Sequence, residues 1–522
     1  MPSHLRYPQT TSKLDMTQKA FVFMASFFAA VAVSGVALGQ SYSELWGKNG
    51  EKWTPDSRLP DFSFAGYRFG EAPMPKVKVS ANVKDFGAKG DGDSDDTEAF
   101  KQAIAETKEG AIFIPEGRYL ITDILWIKKS NIVLRGEGRD KSVLHFPREL
   151  EDVRPNMGAT TSGLPTSNYS WSGGFIWVQG TLKSETISEI ISEHKRGEKS
   201  FTVSRAEGLK PEQRVRLQIT DDAQRTLLNH LYSEDPGKIE KITDTSSVSM
   251  VSRIAAVEGN RITLERPLRW DIRKDWTPRL QTFMPSVSEV GIEDLGFSFP
   301  VKPYKGHFTE KGMNAIAMSN ACDSWIRNVR ISNCDSGIFI SGMFNTIDQL
   351  LIDGIREPTN GDTGHHGVTL GQDCLIQNFE FQTKFIHDLT VTNFQNGNVF
   401  KNGKGLNLSL DHHRRAPFEN LFCNIDVGDG DLIWRSGGGA SIGKHSAARG
   451  TFWCIHSKDE ILWPRPEFGP DSLNIVGVKT GASIKDTDGK WFEAIAPNEL
   501  RPADLHAAQL AKRLGTTSPL SP

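Results

Sequence analysis

After residue 286, hydrophobic and polar positions fall into a recurring unit in which two apolar residues flank two polar ones. Ile292-Glu293-Asp294-Leu295, Ile326-Arg327-Asn328-Val329, Ile347-Asp348-Gln349-Leu350, Ile376-Gln377-Asn378-Phe379, Ile386-His387-Asp388-Leu389 and Phe418-Glu419-Asn420-Leu421 are its clearest copies. Most neighbours lie about 20 to 35 residues apart, a period that predicts the coils of a β-solenoid, with the polar residue of each copy at a turn. The copies at 376 and 386 are too close for separate coils and predict adjacent strands of one coil. Each coil of a solenoid contacts only its neighbours, so a chain of 522 residues can form one array where a single small core cannot.

Upstream the pattern changes twice. A short amphipathic helix is predicted from Thr97, with Phe100, Ala103 and Ile104 on its apolar face and Asp95 or Asp96 as its cap. Ile112-Phe113-Ile114 then enters the first coil and Pro115-Glu116-Gly117 turns it. The helix would cover the solenoid's open end. From about 150 to 285 the repeat is interrupted by short alternating segments between turn residues, which predict a small antiparallel β insertion. Its aromatics Tyr169, Trp171, Trp177, Trp270 and Trp276 suit either sugar stacking or a small core.

The flanks are simpler. Residues 40–80, rich in Trp, Pro and Gly, predict an extended arm anchored by Trp46, Trp53 and Tyr67. Residues 486–500 read as a polar loop, and Pro502–Leu514 as a short helix bracing the solenoid through Leu505, Leu510 and Leu514, followed by a polar tail to 522. At the other end, Lys19, the apolar run Ala20–Leu38 and the small residues before Gln40 predict a secretory signal within 1–39, with residues 1–15 an upstream extension or misassigned start. An uncleaved membrane anchor is the alternative. The body, a β-helix over 81–485, is expected to be secreted or periplasmic, with no membrane contact once the signal is cleaved.

The segment Asn82–Phe146, NVKDFGAKGDGDSDDTEAFKQAIAETKEGAIFIPEGRYLITDILWIKKSNIVLRGEGRDKSVLHF, resembles the opening of the pectate-lyase-like family. Polysaccharide lyases, polygalacturonase-like hydrolases, epimerases and phage tailspikes share that opening. The resemblance implies an all-β chain, a right-handed parallel β-helix with an N-terminal cap helix, here carrying a small β insertion. It fixes no single reaction. The DGDSDD stretch is not an EF-hand loop, because the sixth position is Asp96 and the twelfth Gln102.

Charge narrows the partner. A net charge of −3 gives no basic excess for nucleic acid. The five cysteines, Cys322, Cys334, Cys374, Cys423 and Cys454, have no metal-clip spacing and read as buried thiols.

Candidate chemistry gathers between Gly403 and Gly443. Here Leu406, Leu408 and Leu410 alternate toward a charged corner, Asp411-His412-His413-Arg414-Arg415, followed by Asp426, Asp429, Asp431 and Arg435. Stacking would bring this corner beside Asp335, which precedes Ile338–Ile340, and His365-His366, which precede Val368–Leu370. Catalytic candidates are His413, Arg414, His412, His366 and Asp411; substrate-binding candidates are Arg415, Arg435, His365 and Asp335. Nearby arginines are expected to keep a histidine neutral, as a general base requires, and to clamp a carboxylate. That pairing suits β-elimination from a uronate. The expected function is therefore a monomeric lyase acting on an anionic polysaccharide. Asp411 with Asp426, Asp429 or Asp431 would instead suit a two-carboxylate hydrolase, and His366-Gly367 resembles the HG pair of polygalacturonase-like enzymes. A non-catalytic glycan-binding solenoid is the third reading. Asp426, Asp429 and Asp431 are also the candidates for a Ca2+ site.

Overall fold

At one equivalent position in successive coils the backbone is left-handed: Asp294, Asn328, Gln349, Asn378, Asn402 and Asn424 have φ between 52° and 58°. Asn and Asp tolerate this conformation better than most residues because their short side chains bond locally. In the paired register Glu293 matches Arg327 and Leu295 matches Val329, so Asp294 and Asn328 form bends outside the ladder. Asn328 Nδ2 donates to Asp294 Oδ1 at 2.6 Å, and Asn424 Nδ2 donates to Asn402 Oδ1 at 2.8 Å. The polar residue of the repeat is thus the bend. In the copy at 418–421 the phase differs, because the bend of that coil is Asn424 within Phe422-Cys423-Asn424-Ile425.

This computed structural model describes residues 40–160, 162–481 and 487–516. The expected secretory signal in 1–39 and the end of the tail, 517–522, lie outside the described residues. Among those described, no helix is long and apolar enough to cross a membrane.

Strands between the bends stack into two long parallel sheets. One runs from Val79–Asn82 through Gly291–Ser298, Trp325–Ser332, Thr346–Asp353, Leu375–Gln377, Val399–Gly405 and Leu421–Asp426 to Trp491–Glu493. The other has seven strands, in spatial order Leu125–Ile127, Ile176–Gln179, Asn314–Ser319, Ser336–Ile340, Gly364–Thr369, Phe385–Val391 and Leu410–His412. The motifs at 376 and 386 accordingly fall on different sheets of one coil. Like residues stack inside: Phe400 and Phe422 lie 4.5 Å apart and 6° from parallel. The winding is that of a right-handed parallel β-helix.

The helix Thr97–Glu106 packs Phe100 on Tyr119, with ring centroids 5.3 Å apart. Asp95 accepts from Thr97 N, whereas Asp96 turns back to accept from the Lys89 and Gly90 amides. The insertion is a six-stranded antiparallel sheet from Thr186–Glu189 to Arg279–Thr282. It begins later than 150, because Ile176–Gln179 pairs in parallel with the helix strands on both sides. Trp270 and Trp276 are fully buried in its core and Trp177 stacks on Trp126, leaving Trp171 exposed. A buried ion cluster joins insertion to helix: Arg266 and Arg269 pair with Asp373, and Arg196 and Arg449 with Glu419. All five cysteines are free and buried.

Trp46 and Tyr67 of the arm are buried on the long sheet, and the C-terminal helix, Leu505–Leu514, packs Leu505 beside Trp46 and Trp453. The helix begins at Leu505 because Asp504 caps it, accepting from Ala507 N at 2.9 Å. His506 lies beneath it with both ring nitrogens unpartnered, among Lys401, Asp504 and Arg513. Burial, then Lys401, pushes its pKa from 6.5 down to about 3. A histidine depressed by folding contributes stability that is intact above 6.5 and is lost as pH falls toward 3, because only the unfolded chain takes the proton. Asp504, held low mainly by Lys401 and His506 against the effect of its burial, acts in the same direction. Protection factors for amides in 505–514 are expected to fall between pH 6.5 and 4 ahead of those in the solenoid core, and unchanged protection factors across that range would refute this.

Candidate active site

Three coils of the seven-stranded sheet build the floor of a groove. His366 pairs in register with His387, Thr369 with Thr390, and Thr390 with Asp411. The pleat then divides the charged corner: Asp411 and His413 share one face, while His412 points the other way. A loop carrying Tyr304, His307, Phe308 and Glu310 closes one side, and the glycine-rich run 437–439 closes another. The resulting cavity, about 960 Å³, is lined by His307, His365, His366, His387, His413, Trp171, Phe308, Lys241, Arg415 and Arg435. Gly437 permits this closure, since a Cβ there would lie 2.2 Å from His413 Cε1.

Asp411 is the buried hub. Its Oδ2 lies 2.9 Å from His413 Nδ1, accepts from Thr390 Oγ1 at 3.0 Å and sits 3.4 Å from His387 Nδ1. Its Oδ1 accepts from Gly437 N at 2.8 Å. Burial alone would raise this carboxyl, but His387, His413 and the Gly437 amide outweigh it and hold the group ionised, well below the usual range. Burial opposes the charged form of His413, yet Asp411 outweighs it and raises the imidazole above its ordinary value. The expected lowering by arginines is therefore reversed at this residue. Burial pushes His365 and His366 well below 6.5 and takes His387 down to about 3. On the opposite side Glu310, pushed up to about 7 by burial, accepts from Tyr304 Oη and from Ser170 Oγ.

The groove unites His413, Asp411, His366, His365, Arg415 and Arg435. Its two arginines are already engaged, Arg415 with Asp244 and Arg435 with both oxygens of Asp362. Other candidates lie elsewhere. His412 is buried in the aromatic core beside Phe422, Phe452 and Phe468, its Nδ1 2.9 Å from Leu410 O, because its strand position faces inward. Arg414 turns to Gly443 O and His445. Asp335 is buried against Arg356 and accepts from Met313 N, which makes it a brace of the strand end. Asp431 accepts from Asn407, Asp429 pairs with Lys458, and Asp426 accepts from Gly428 N, so the three carboxylates serve separate partners and form no Ca2+ cage. Leu406 is exposed rather than on the apolar face, because it falls in the turn between Val399–Gly405 and Leu410–His412.

Sequence reasoning passed over His307, His387, Glu310 and Lys241. His387 was visible as the polar position of a repeat copy, one coil beyond His366. His307 and Glu310 sit on an irregular loop with no periodic signal, and Lys241 reaches the groove from the insertion.

Residues 80–174 match the family described as rhamnogalacturonase A/epimerase, pectate lyase-like. The match covers less than a fifth of the chain, and the winding that continues beyond it is that of a right-handed parallel β-helix. Among curated proteins, the chain is 31% identical over 139 residues to a glucan 1,3-beta-glucosidase of Cochliobolus carbonum, covering 23% of this chain and 16% of that one. It is 33% identical over 100 residues to alginate lyase 7 of Azotobacter vinelandii, covering 17% and 12%. The chain thus matches less than a fifth of the length of either relative. Among solved structures, the tailspike protein gp49 of Pseudomonas phage LKA1 aligns with a TM-score of 0.43 at 13% identity, over 73% of this chain and 64% of that one.

Proposed function

We propose that the protein is a secreted polysaccharide lyase that cleaves a uronate-containing polymer by β-elimination, with His413 as the base and Asp411 as the group that orients it. The observation carrying this reading is the groove lining: histidines and cations face the cavity, and among the described residues no carboxylate does. A two-carboxylate hydrolase needs an acid and a base or nucleophile at the bond. The nearest carboxyl groups, Asp411 and Glu310, are buried and bonded to protein. Similarity of part of the chain to an alginate lyase and a glucan glucosidase supports a polysaccharide substrate and leaves the reaction to the groove.

Asp411 fixes the proton on His413 Nδ1 and leaves Nε2 to take the C5 proton of the uronate. The electron pair of that C–H bond becomes the C4–C5 double bond as the C4–O bond breaks, and the departing oxygen takes a proton from water in the open groove. Lys241, which has no ion-pair partner among the described residues, provides positive charge near the carboxylate. Incubation with a panel of anionic polysaccharides is expected to yield an unsaturated, ultraviolet-absorbing sugar at the new non-reducing end. New reducing ends without that absorbance, with oxygen from water at the anomeric carbon, would replace this reading with hydrolysis, and no product from any polymer would favour glycan binding alone.

A further inference from the structure

We propose that His307, His365 and His387 hold a divalent transition-metal ion of the zinc class at the groove floor. Each offers a ring nitrogen, and the three lie within 4.8 Å of one another. His365 and His387 are only 2% and 3% exposed, and His365 Nδ1 and both ring nitrogens of His387 have no hydrogen-bond partner. Such orphaned nitrogens are costly, about 1–3 kcal/mol each, unless something satisfies them. The rings also crowd together, with centroids 4.5 Å apart for His307 and His365 and 5.4 Å for His365 and His387. Converging lone pairs on neutral rings are what a metal requires.

A second feature points the same way. Behind two of the rings stand carboxylates, Glu310 Oε1 at 3.6 Å from His365 Nδ1 and Asp411 Oδ2 at 3.4 Å from His387 Nδ1. A carboxylate behind a ligating histidine orients the ring and strengthens the donor, leaving Nε2 for the metal. Three histidines with one side open to the cavity match a zinc-type site that keeps a position for substrate. Nitrogen donors exclude Ca2+ and Mg2+, which take oxygen. The inference deepens the lyase reading and rests on it for its purpose: Arg415 and Arg435 are already paired with aspartates, and the ion supplies charge beside His413 to offset the uronate carboxylate.

The test uses the full chain without a polyhistidine tag, loaded with Zn2+ and desalted, with metal measured by mass spectrometry. One equivalent per chain is expected, falling to none in His307→Ala, whose exposed ring can be removed without loss of fold. Co2+ in place of Zn2+ should give visible d–d bands that the same variant abolishes. Glu310→Gln should weaken affinity about 10–100-fold. Substoichiometric metal in the unaltered protein, or stoichiometry and Co2+ spectrum unchanged in His307→Ala, overturns the site. Unsaturated product from metal-free protein would also overturn the ion's role while leaving the lyase; bound metal without unsaturated product would do the reverse.

Discussion

His413→Ala is expected to lower turnover about 10²–10⁴-fold, the loss typical of a missing general base. Its side chain is partly exposed at the end of Leu410–His412, so far-ultraviolet circular dichroism should not change. Arg414→Ala provides the contrast. The two residues are adjacent in sequence, but the guanidinium bonds Gly443 O and His445 rather than the cavity, and turnover should fall far less. Equal losses in both variants, or near-normal turnover in His413→Ala, would move the base elsewhere along the groove.

Asp373→Ala is expected to cost about 3–5 kcal/mol, because it strands two buried arginines. Arg266 bonds both oxygens of Asp373, Arg269 reaches the same carboxylate, and all three are nearly inaccessible to solvent. Both arginines belong to the insertion and Asp373 to the helix, so amide exchange should accelerate first in 186–282. Denaturant unfolding measures the size of the effect. A change below about 1 kcal/mol would mean that water or Glu419 takes over the pairing.

The winding was legible because its grammar is local. Apolar positions at a fixed offset mark the two strands, and Asp294, Asn328, Asn378 and Asn424 are residue types that accept a left-handed bend. Start and end of the insertion were less so, since Ile176–Gln179 reads like any short strand and only its partners on both sides assign it to the helix. At the groove, clustering in sequence named residues that the fold separates: His413 and Arg415 line the cavity, whereas His412 and Arg414 turn away from it. Period-two alternation places Asp411 and His413 together and turns His412 into the core, a division the spacing alone already contained. His387 was hidden by its resemblance to a structural repeat position. His307 and Lys241 arrive from a loop and from the insertion, and no local pattern announces such long-range meetings.

The histidine floor has a length. His366, His387 and His413 come from successive coils, yet their rings converge, the outer pair His366 and His413 lying only 5.9 Å apart between centroids, so the floor is short along the helix axis. A polymer lying along that axis outruns it quickly. On the proposed reading, grip on more distant sugars would fall to the side walls, which include Trp171, Phe308 and Lys241. On the proposed lyase reading, bond breaking and chain holding would then reside in different parts of the molecule: the stacked coils would fix where scission occurs, and the side walls would hold the flanking polymer.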